Sequence, residues 1–193
     1  KLDGSVWNRW TATYNYSSFQ NYEMVNFSPL FGHQYSHMWI DFAGIKDAFM
    51  RSKPGLDYFE NSRRATLANR SYCIENPSKY VGYGADIWGL TACDGPGAGT
   101  YGKWAYHARG ASAAGIADDG TIAPTAAGGS FPFTPTESYA ALKAMKSYKN
   151  GAIYTDYGFL DSFNPQLIWK LMKKNAYIVN GLKGAGFTGG WLN

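Results

Sequence analysis

The run Asp57-Tyr58-Phe59-Glu60-Asn61-Ser62-Arg63-Arg64-Ala65-Thr66, continuing through Leu67 and Tyr72 to Asn76-Pro77, decides how this chain is read. Asp57 with Glu60 three residues later is a capping box, in which the two side chains satisfy orphan amides of a first helical turn. Phe59, Ala65, Leu67 and Tyr72 carry the helix onward, and Asn76-Pro77 stops it, because proline has no amide to donate and clashes with the preceding turn. A capped helix of this length makes a helical frame the expectation for the whole chain.

The same signals recur on either side. Thr134, Pro135 and Glu137 give a cap, a first-position proline and a reciprocal carboxylate, followed by Tyr139, Leu142, Met145 and Tyr148. Another helix is expected after Asn164-Pro165, with Leu167, Ile168, Leu171 and Met172 facing inward. Upstream, Tyr35, Met38, Trp39, Phe42, Ile45 and Phe49 recur by threes and fours, which predicts a helix from His33 to about Met50. Trp7, Trp10 and Tyr14 suggest a weaker one near the N-terminus. Between the second and third of these helices lies a long stretch, residues 78–133, rich in glycine and aromatics. Loops of that length usually carry function. Short hairpins within it are expected, for example at Asp118-Asp119-Gly120-Thr121, where Asp-Gly favours a turn. The predicted class is all-α, with strand confined to short pieces inside residues 78–133.

Composition narrows the function. Of 193 residues, 45% are apolar, 17% aromatic and only 17% charged, with 23 glycines and a net charge of +4. The apolar content excludes general disorder. The basic residues form pairs at most, Arg63-Arg64 and Lys173-Lys174, so no nucleic-acid face is readable. No apolar run is long enough to span a bilayer. Few charges, many rings and many flexible joints suit a surface for neutral polar rings, where an aromatic face packs against sugar C–H groups. Cys73 and Cys93 make neither a disulfide framework nor a zinc site; they read as two buried small hydrophobes, with a single disulfide between them the alternative.

Several residues are candidates for chemistry. His33, His37 and Asp41 fall on one face of the predicted first helix. Two histidines four apart can bind zinc, but Gln34 stands where a metalloprotease has glutamate, and a polar stripe facing a groove explains the set without metal. Glu137 is either a general acid at a helix mouth or one arm of its capping box. Asp94, in Thr91-Ala92-Cys93-Asp94-Gly95-Pro96, is a substrate contact or a turn former. Asp118-Asp119 before Gly120 reads as turn chemistry. Asp161, in an aromatic turn, is a site residue or a cap on the amides that follow. Glycoside hydrolysis needs two carboxyl groups across the scissile bond, and the chain offers acids whose sequence spacing does not fix their separation. No nucleophile elbow, phosphate loop or complete dinucleotide fingerprint occurs.

Five longer motifs, in order, are more specific. They are Pro29-Leu30-Phe31-Gly32-His33-Gln34-Tyr35-Ser36-His37-Met38-Trp39-Ile40-Asp41-Phe42, the run from Asp57 to Thr66, Trp88-Gly89-Leu90-Thr91-Ala92-Cys93-Asp94-Gly95-Pro96, Asp119-Gly120-Thr121-Ile122-Ala123-Pro124-Thr125-Ala126, and Tyr157-Gly158-Phe159-Leu160-Asp161-Ser162-Phe163-Asn164. Together they resemble the bacterial glucoamylase-like domain family over residues 29–165, so residues 1–193 are read as one such domain. The resemblance implies an (α/α)6 toroid with its site at the loop-bearing mouth. It implies an inverting hydrolase of β-glucan, most of all β-1,2-glucan, that uses acids without metal or cofactor in a periplasmic or secreted setting. On this reading Glu137, Asp94 and Asp161 are the catalytic candidates. His33, Gln34, His37, Asp41, Trp88, Trp104, Arg109, Tyr157 and Phe159 are the expected substrate-binding residues.

Two departures qualify the resemblance. A toroid needs more helices than the four or five read here. Relatives also carry a Gly-Ile-Asp-Gln-Gly segment where this chain has Ala176-Tyr177-Ile178-Val179-Asn180-Gly181, and no acid follows Asp161. A partial chain is the expectation, completed by the rest of its barrel or by self-association. The alternatives are a non-catalytic carbohydrate-binding remnant and the glucan-processing domain of a larger synthase.

Overall fold

The Asp57 helix starts and stops where the sequence predicts, but only the Asp57 arm of the box forms, because the Glu60 carboxylate turns to Arg63 and Arg64. In the computed structural model, which describes residues 3–95, 106–165 and 191–192, Asp57 is extended and its Oδ1 accepts the Glu60 amide at 2.7 Å. The helix it opens, α3 (Tyr58–Glu75), ends at Asn76 in the left-handed conformation. The Asn76 side chain then accepts the Tyr80 amide and donates to the Tyr80 carbonyl, so one amide group imitates a backbone turn.

The buried face of α3 is small and polar as much as apolar: Asn61, Ser62, Ala65, Thr66, Ala68, Asn69, Tyr72 and Cys73. A buried amide must find partners, and here the partners are loops. Asn69 donates to the Leu90 carbonyl and accepts the Leu90 amide, a two-bond strap like one rung of a sheet. Asn61 Oδ1 accepts the Val25 amide, and Thr66 donates to Ser130. The helix thus carries the chain segments on either side of it.

Before α3 come α1 (Ser5–Thr11) and a hairpin of β1 (Tyr16–Phe19) and β2 (Tyr22–Val25), whose two-residue loop, Gln20-Asn21, has positive φ at both positions. That is the backbone sign that matches strand twist in a tight hairpin. The predicted helix from His33 to Met50 is absent. Two 3-10 turns, Leu30–His33 and Tyr35–Met38, are followed by turns and by a four-residue α2 (Ala48–Arg51). Asp41 caps a local turn by accepting the Ala43 amide, and Gly44 has a φ of +75°, so the helix cannot run through. Four of its periodic apolar residues, Tyr35, Met38, Trp39 and Ile45, are exposed instead, Trp39 at 85%, while Phe42 and Phe49 are half-buried against other rings.

After α3, β3 (Ala92–Cys93) pairs with β4 (His107–Ala108), and β5 (Gly110–Ser112) with β6 (Gly115–Ala117). The hairpin turn is at Ala113-Ala114, not at Asp118-Asp119-Gly120, which is a separate turn with both carboxylates capping amides ahead of them. A short α4 (Pro124–Gly129) was not expected inside this stretch; Pro124 sits at its first turn. Then α5 (Pro135–Ser147) begins where the proline predicts. Its capping box does not form, because Thr134 donates to the Ser130 carbonyl supplied by the end of α4 and shares a bond with Ser138. Last come the pairs β7 (Tyr154–Thr155) with β8 (Gly158–Phe159), and β9 (Phe163–Asn164) with β10 (Trp191–Leu192). Strands therefore lie both before and after residues 78–133, and the described residues are not all-α. The helix expected over Leu167–Met172, the segment from Ala176 to Gly181, and Trp104 lie outside the described residues.

The core joins α3, α4 and α5 to the loops between them: Tyr72, Cys73, Trp88, Leu90, Ile122, Ala126, Ala127, Ala141, Met145 and Phe163. Close approach is built in. A Cβ at Gly89 (φ +136°) would lie 2.9 Å from the Ala123 carbonyl, and one at Gly110 would overlap the Ser28 backbone.

Candidate active site

Two of the three candidate acids meet. Asp94 and Asp161 are 67 residues apart in sequence, and the Asp94 amide donates to Asp161 Oδ2 at 2.9 Å. Ser162 Oγ donates to the Asp94 carbonyl at 2.7 Å, so the two segments are joined twice. Both acids are exposed, on the rim where β3 ends and β9 begins. Glu137 belongs to another element. It sits half-buried in the first turn of α5, where its carboxylate favours the helix N-terminus.

The residues under this rim are fixed. Arg109 is buried and forms a bidentate pair with Asp119, Nε to Oδ1 at 2.9 Å and Nη2 to Oδ2 at 2.7 Å, while Nη1 donates to the Cys93 carbonyl at 2.7 Å. Burial opposes the guanidinium charge, but the hydrogen bonds and charge of Asp119 outweigh it and hold Arg109 protonated above its usual range. The same pairing overcomes burial at Asp119 and keeps that carboxyl below its ordinary value. Arg109 is therefore engaged with the protein, not presented to a sugar as expected. Trp88 is also corrected: it lies wholly inside the core, with no acceptor for its Nε1 among the described residues. The loop around it does have a core to join, because α4 folds back over it.

The predicted stripe of His33, His37 and Asp41 is dispersed with the helix that would have aligned it. His33 is buried; its Nε2 lies 3.2 Å from the Phe27 carbonyl, which can only accept, so the proton is on that nitrogen. Burial pushes its pKa down to about 4 and keeps the ring neutral. His37 is half-buried among Phe42, Phe59 and Phe133. Ser62 gives its one proton to the Tyr58 carbonyl, so His37 Nε2, 3.0 Å away, donates to Ser62. Burial lowers the His37 pKa against the pull of Asp41 and Asp57. Gln34 is buried and donates to the Ala126 carbonyl and Ser130, which leaves its amide a structural strap. Asp41 is exposed. Tyr157 is fully exposed at the tip of the β7–β8 hairpin, and Phe159 packs edge-on against Tyr154 below it.

A second concavity among the described residues is lined by His33 and His37, as expected, but its other walls were not foreseen. An open cavity of about 850 Å³ lies between α1, the β2 end and α3, lined by Trp7, Trp10, Phe27, His33, His37 and Asp47 among others. Asp47 anchors its wall. Asp47 Oδ2 accepts Trp7 Nε1 at 2.8 Å and the Tyr58 hydroxyl at 2.5 Å, and Oδ1 accepts the Met50 amide as the cap of α2. Since the Tyr58 proton goes to Asp47, Tyr14 must donate to Tyr58, and Trp10 Nε1 donates to Tyr14. Burial would raise the Asp47 pKa; the hydrogen bonds from Met50, Tyr58 and Trp7 outweigh it, and the carboxyl stays low and ionised. Both indole N–H groups are thus satisfied internally, and what the cavity presents is ring surface. The signal in sequence was Asp47 ahead of a short apolar run, a cap hidden inside the longer periodicity.

Comparison with known proteins then places the chain. The Glycoamylase family, described as "Putative glucoamylase", matches residues 1–183. This chain belongs to that family. It is 38% identical over 144 residues to an exo β-1,2-glucooligosaccharide sophorohydrolase (non-reducing end) of Parabacteroides distasonis, covering 75% of the chain and 18% of that protein. The crystal structure of a β-1,2-glucanase from Parabacteroides distasonis superposes with a TM-score of 0.66 at 33% identity, covering 84% of this chain and 22% of that one. An endo-β-1,2-glucanase from Chitinophaga pinensis, in complex with sophorotriose and glucose, gives 0.68 at 33% identity, covering 83% and 37%. The chain spans about a fifth to two fifths of the length of these relatives.

Proposed function

We propose that this chain is the loop-bearing part of a glycoside hydrolase acting on β-glucan, with β-1,2-linked glucan as its substrate. The observation that carries the reading is the joining of Asp94 and Asp161 on an exposed rim, in a family whose relatives are named for hydrolysis of that linkage. The fold is proposed as part of an (α/α)6 toroid completed by further chain or by association, in a periplasmic or secreted protein. Catalysis is by two carboxyl groups. One protonates the glycosidic oxygen as the anomeric C–O bond breaks, and another takes a proton from the water that attacks the opposite face, so the product is inverted. Asp94, Asp161 and Glu137 are the candidates. The cavity wall, with Trp7 and Trp10 pinned by their N–H groups, is the sugar-stacking surface.

Digestion of β-1,2-glucan by the chain alone, and by the chain extended to the length of its relatives, tests this. Asp94→Asn, Asp161→Asn and Glu137→Gln are assayed in whichever is active, with the product anomer read by NMR. Loss of more than about 100-fold in one carboxamide variant and an inverted product are expected. The variant that has lost the acid keeps activity on an aryl glucoside with a good leaving group; the one that has lost the base does not. Activity retained in all three variants removes these acids from the reaction. A second reading, a sugar-binding remnant, starts from the segment 176–181, which lacks the acid the family motif carries there, and it predicts binding of the glucan without cleavage in both chains.

A further inference from the structure

The two acids sit on a closed circuit of hydrogen bonds. Beginning at Asp94, the preceding carbonyl, that of Cys93, accepts Arg109 Nη1. Arg109 grips Asp119 through both carboxylate oxygens. The Asp119 carbonyl accepts Asn164 Nδ2, which also donates to Thr121 Oγ1. Asn164 is three residues from Asp161, and the intervening Ser162 donates to the Asp94 carbonyl while Asp161 accepts the Asp94 amide. Three segments distant in sequence, 93–94, 109–121 and 161–164, are locked in one ring that contains the ion pair of Arg109 with Asp119.

We infer that Arg109 and Asp119 are positioning residues, whose pairing sets the placement of Asp94 against Asp161. Three features favour positioning over bulk stability. A bidentate fork fixes direction as well as distance, which a single hydrogen bond does not. The pair is buried at the base of an exposed site, where desolvation makes an ion pair a poor source of stability. The third nitrogen is used on the carbonyl immediately before Asp94, where a shift of the guanidinium moves the acid's own backbone. Asp118, the adjacent acid, makes a useful contrast. Its carboxylate accepts the Tyr72 and Tyr83 hydroxyls, on the side away from the ring.

This inference rests on the hydrolase reading for its kinetic consequence but not for its structural one, and the test separates them. Asp119→Asn, Arg109→Lys and Asp118→Asn are compared by amide hydrogen exchange, by reactivity of the Cys93 thiol toward an aromatic disulfide reagent, and by β-1,2-glucan hydrolysis. In the parent chain burial pushes the Cys93 thiol up to about 11, outweighing the pull of Arg109 Nη1 3.7 Å from its sulfur, and the buried thiol reacts slowly. Asp119→Asn and Arg109→Lys are expected to speed exchange at the Asp94 amide and labelling at Cys93, and to lower kcat about 100-fold with KM little changed. Asp118→Asn is expected to lower thermal stability while leaving Asp94 exchange and kcat as they were. If Asp119→Asn does not fold, Arg109→Lys, which keeps the charge but loses the fork, carries the same readouts. Unchanged exchange at Asp94 in the ring variants overturns the inference, and so does an equal kcat loss in Asp118→Asn. A parent that hydrolyses no glucan in any length of chain fails the functional reading instead, and exchange and labelling still decide the positioning.

Discussion

The interior beside α3 and the segment from Ser5 to Arg51 draw on the same aromatic residues and hold them in opposite ways. Trp88 is 0% exposed and its indole N–H has no partner among the described residues, whereas Trp10 is 65% exposed and its N–H is bonded to Tyr14. In the interior, rings are fixed by packing on every side, and backbone loops are strapped down by Asn69, Gln34 and Asn61. In the N-terminal segment the rings are fixed by directed hydrogen bonds ending on Asp47, and their faces stay open. A ring held by its edge keeps its face for something else. The difference separates aromatic residues that make the fold from those that make a surface.

The sharpest way to break this comparison is to remove a ring from each side. Trp88→Ala leaves a cavity among Leu90, Ile122 and Phe163, and is expected to cost about 3–5 kcal/mol in urea unfolding. Trp10→Ala should change stability by no more than about 0.5 kcal/mol, as surface substitutions do. Equal losses in the two variants would mean that the N-terminal segment is core after all.

His33 sharpens the comparison because it borders both regions: its ring lines the cavity, yet it is buried. Its folded pKa of about 4 lies below the ordinary 6.5. The unfolded chain therefore binds the extra proton first as pH falls, and stability drops between pH 6.5 and about 4. Above 6.5 the contribution is complete, and below 4 no more is lost at this residue. The full effect is on the order of 3 kcal/mol. Urea midpoints measured every half pH unit should show the drop in the parent and a flatter profile in His33→Asn. An unchanged profile in that variant assigns the pH dependence to other groups.

The legible parts of the sequence were those governed by local chemistry. Asp57 and Asn76 bound α3 because caps and stops are decided within a turn or two, and Pro135 marked α5 for the same reason. The His33–Met50 helix failed because apolar spacing does not register a local competitor: Asp41 caps its own turn and Gly44 takes a positive φ, so the periodic residues are split among three short turns. Gln20-Asn21 carried a hairpin signal in its two residues tolerant of positive φ, but lacked the glycine that makes such turns conspicuous. The family motifs named Asp94 and Asp161 separately, and the hydrogen bond that joins them is visible only in the fold. What they could not give was the purpose of each polar residue within or between them, because Arg109 and Gln34 have the chemistry of ligand contacts and the environment of straps. Which partner a buried guanidinium or amide chooses is a tertiary fact.

The smallest effect on stability carries the most information about the surface. Trp7 and Trp10 are held at the cavity with their N–H groups already bonded, so any ligand there must use their faces. Trp10→Ala should weaken binding of a β-1,2-linked gluco-oligosaccharide by about 2- to 10-fold, the effect of losing about 0.5–1.5 kcal/mol of ring contact. Trp10→Phe keeps a face but loses the bond to Tyr14, and should fall between the two. Isothermal titration gives the affinities, and light scattering on the same samples reports association. If Trp10→Ala binds sugar as the parent does and also turns an associating chain into a monomer, the exposed rings serve to dock protein. The cavity wall would then be a joint with the rest of the barrel, and the sugar would lie wholly along the Asp94–Asp161 rim. Weakened sugar binding with association unchanged assigns the same rings to the glucan, because a single substitution cannot remove a sugar platform while sparing a docking face unless only the first is there.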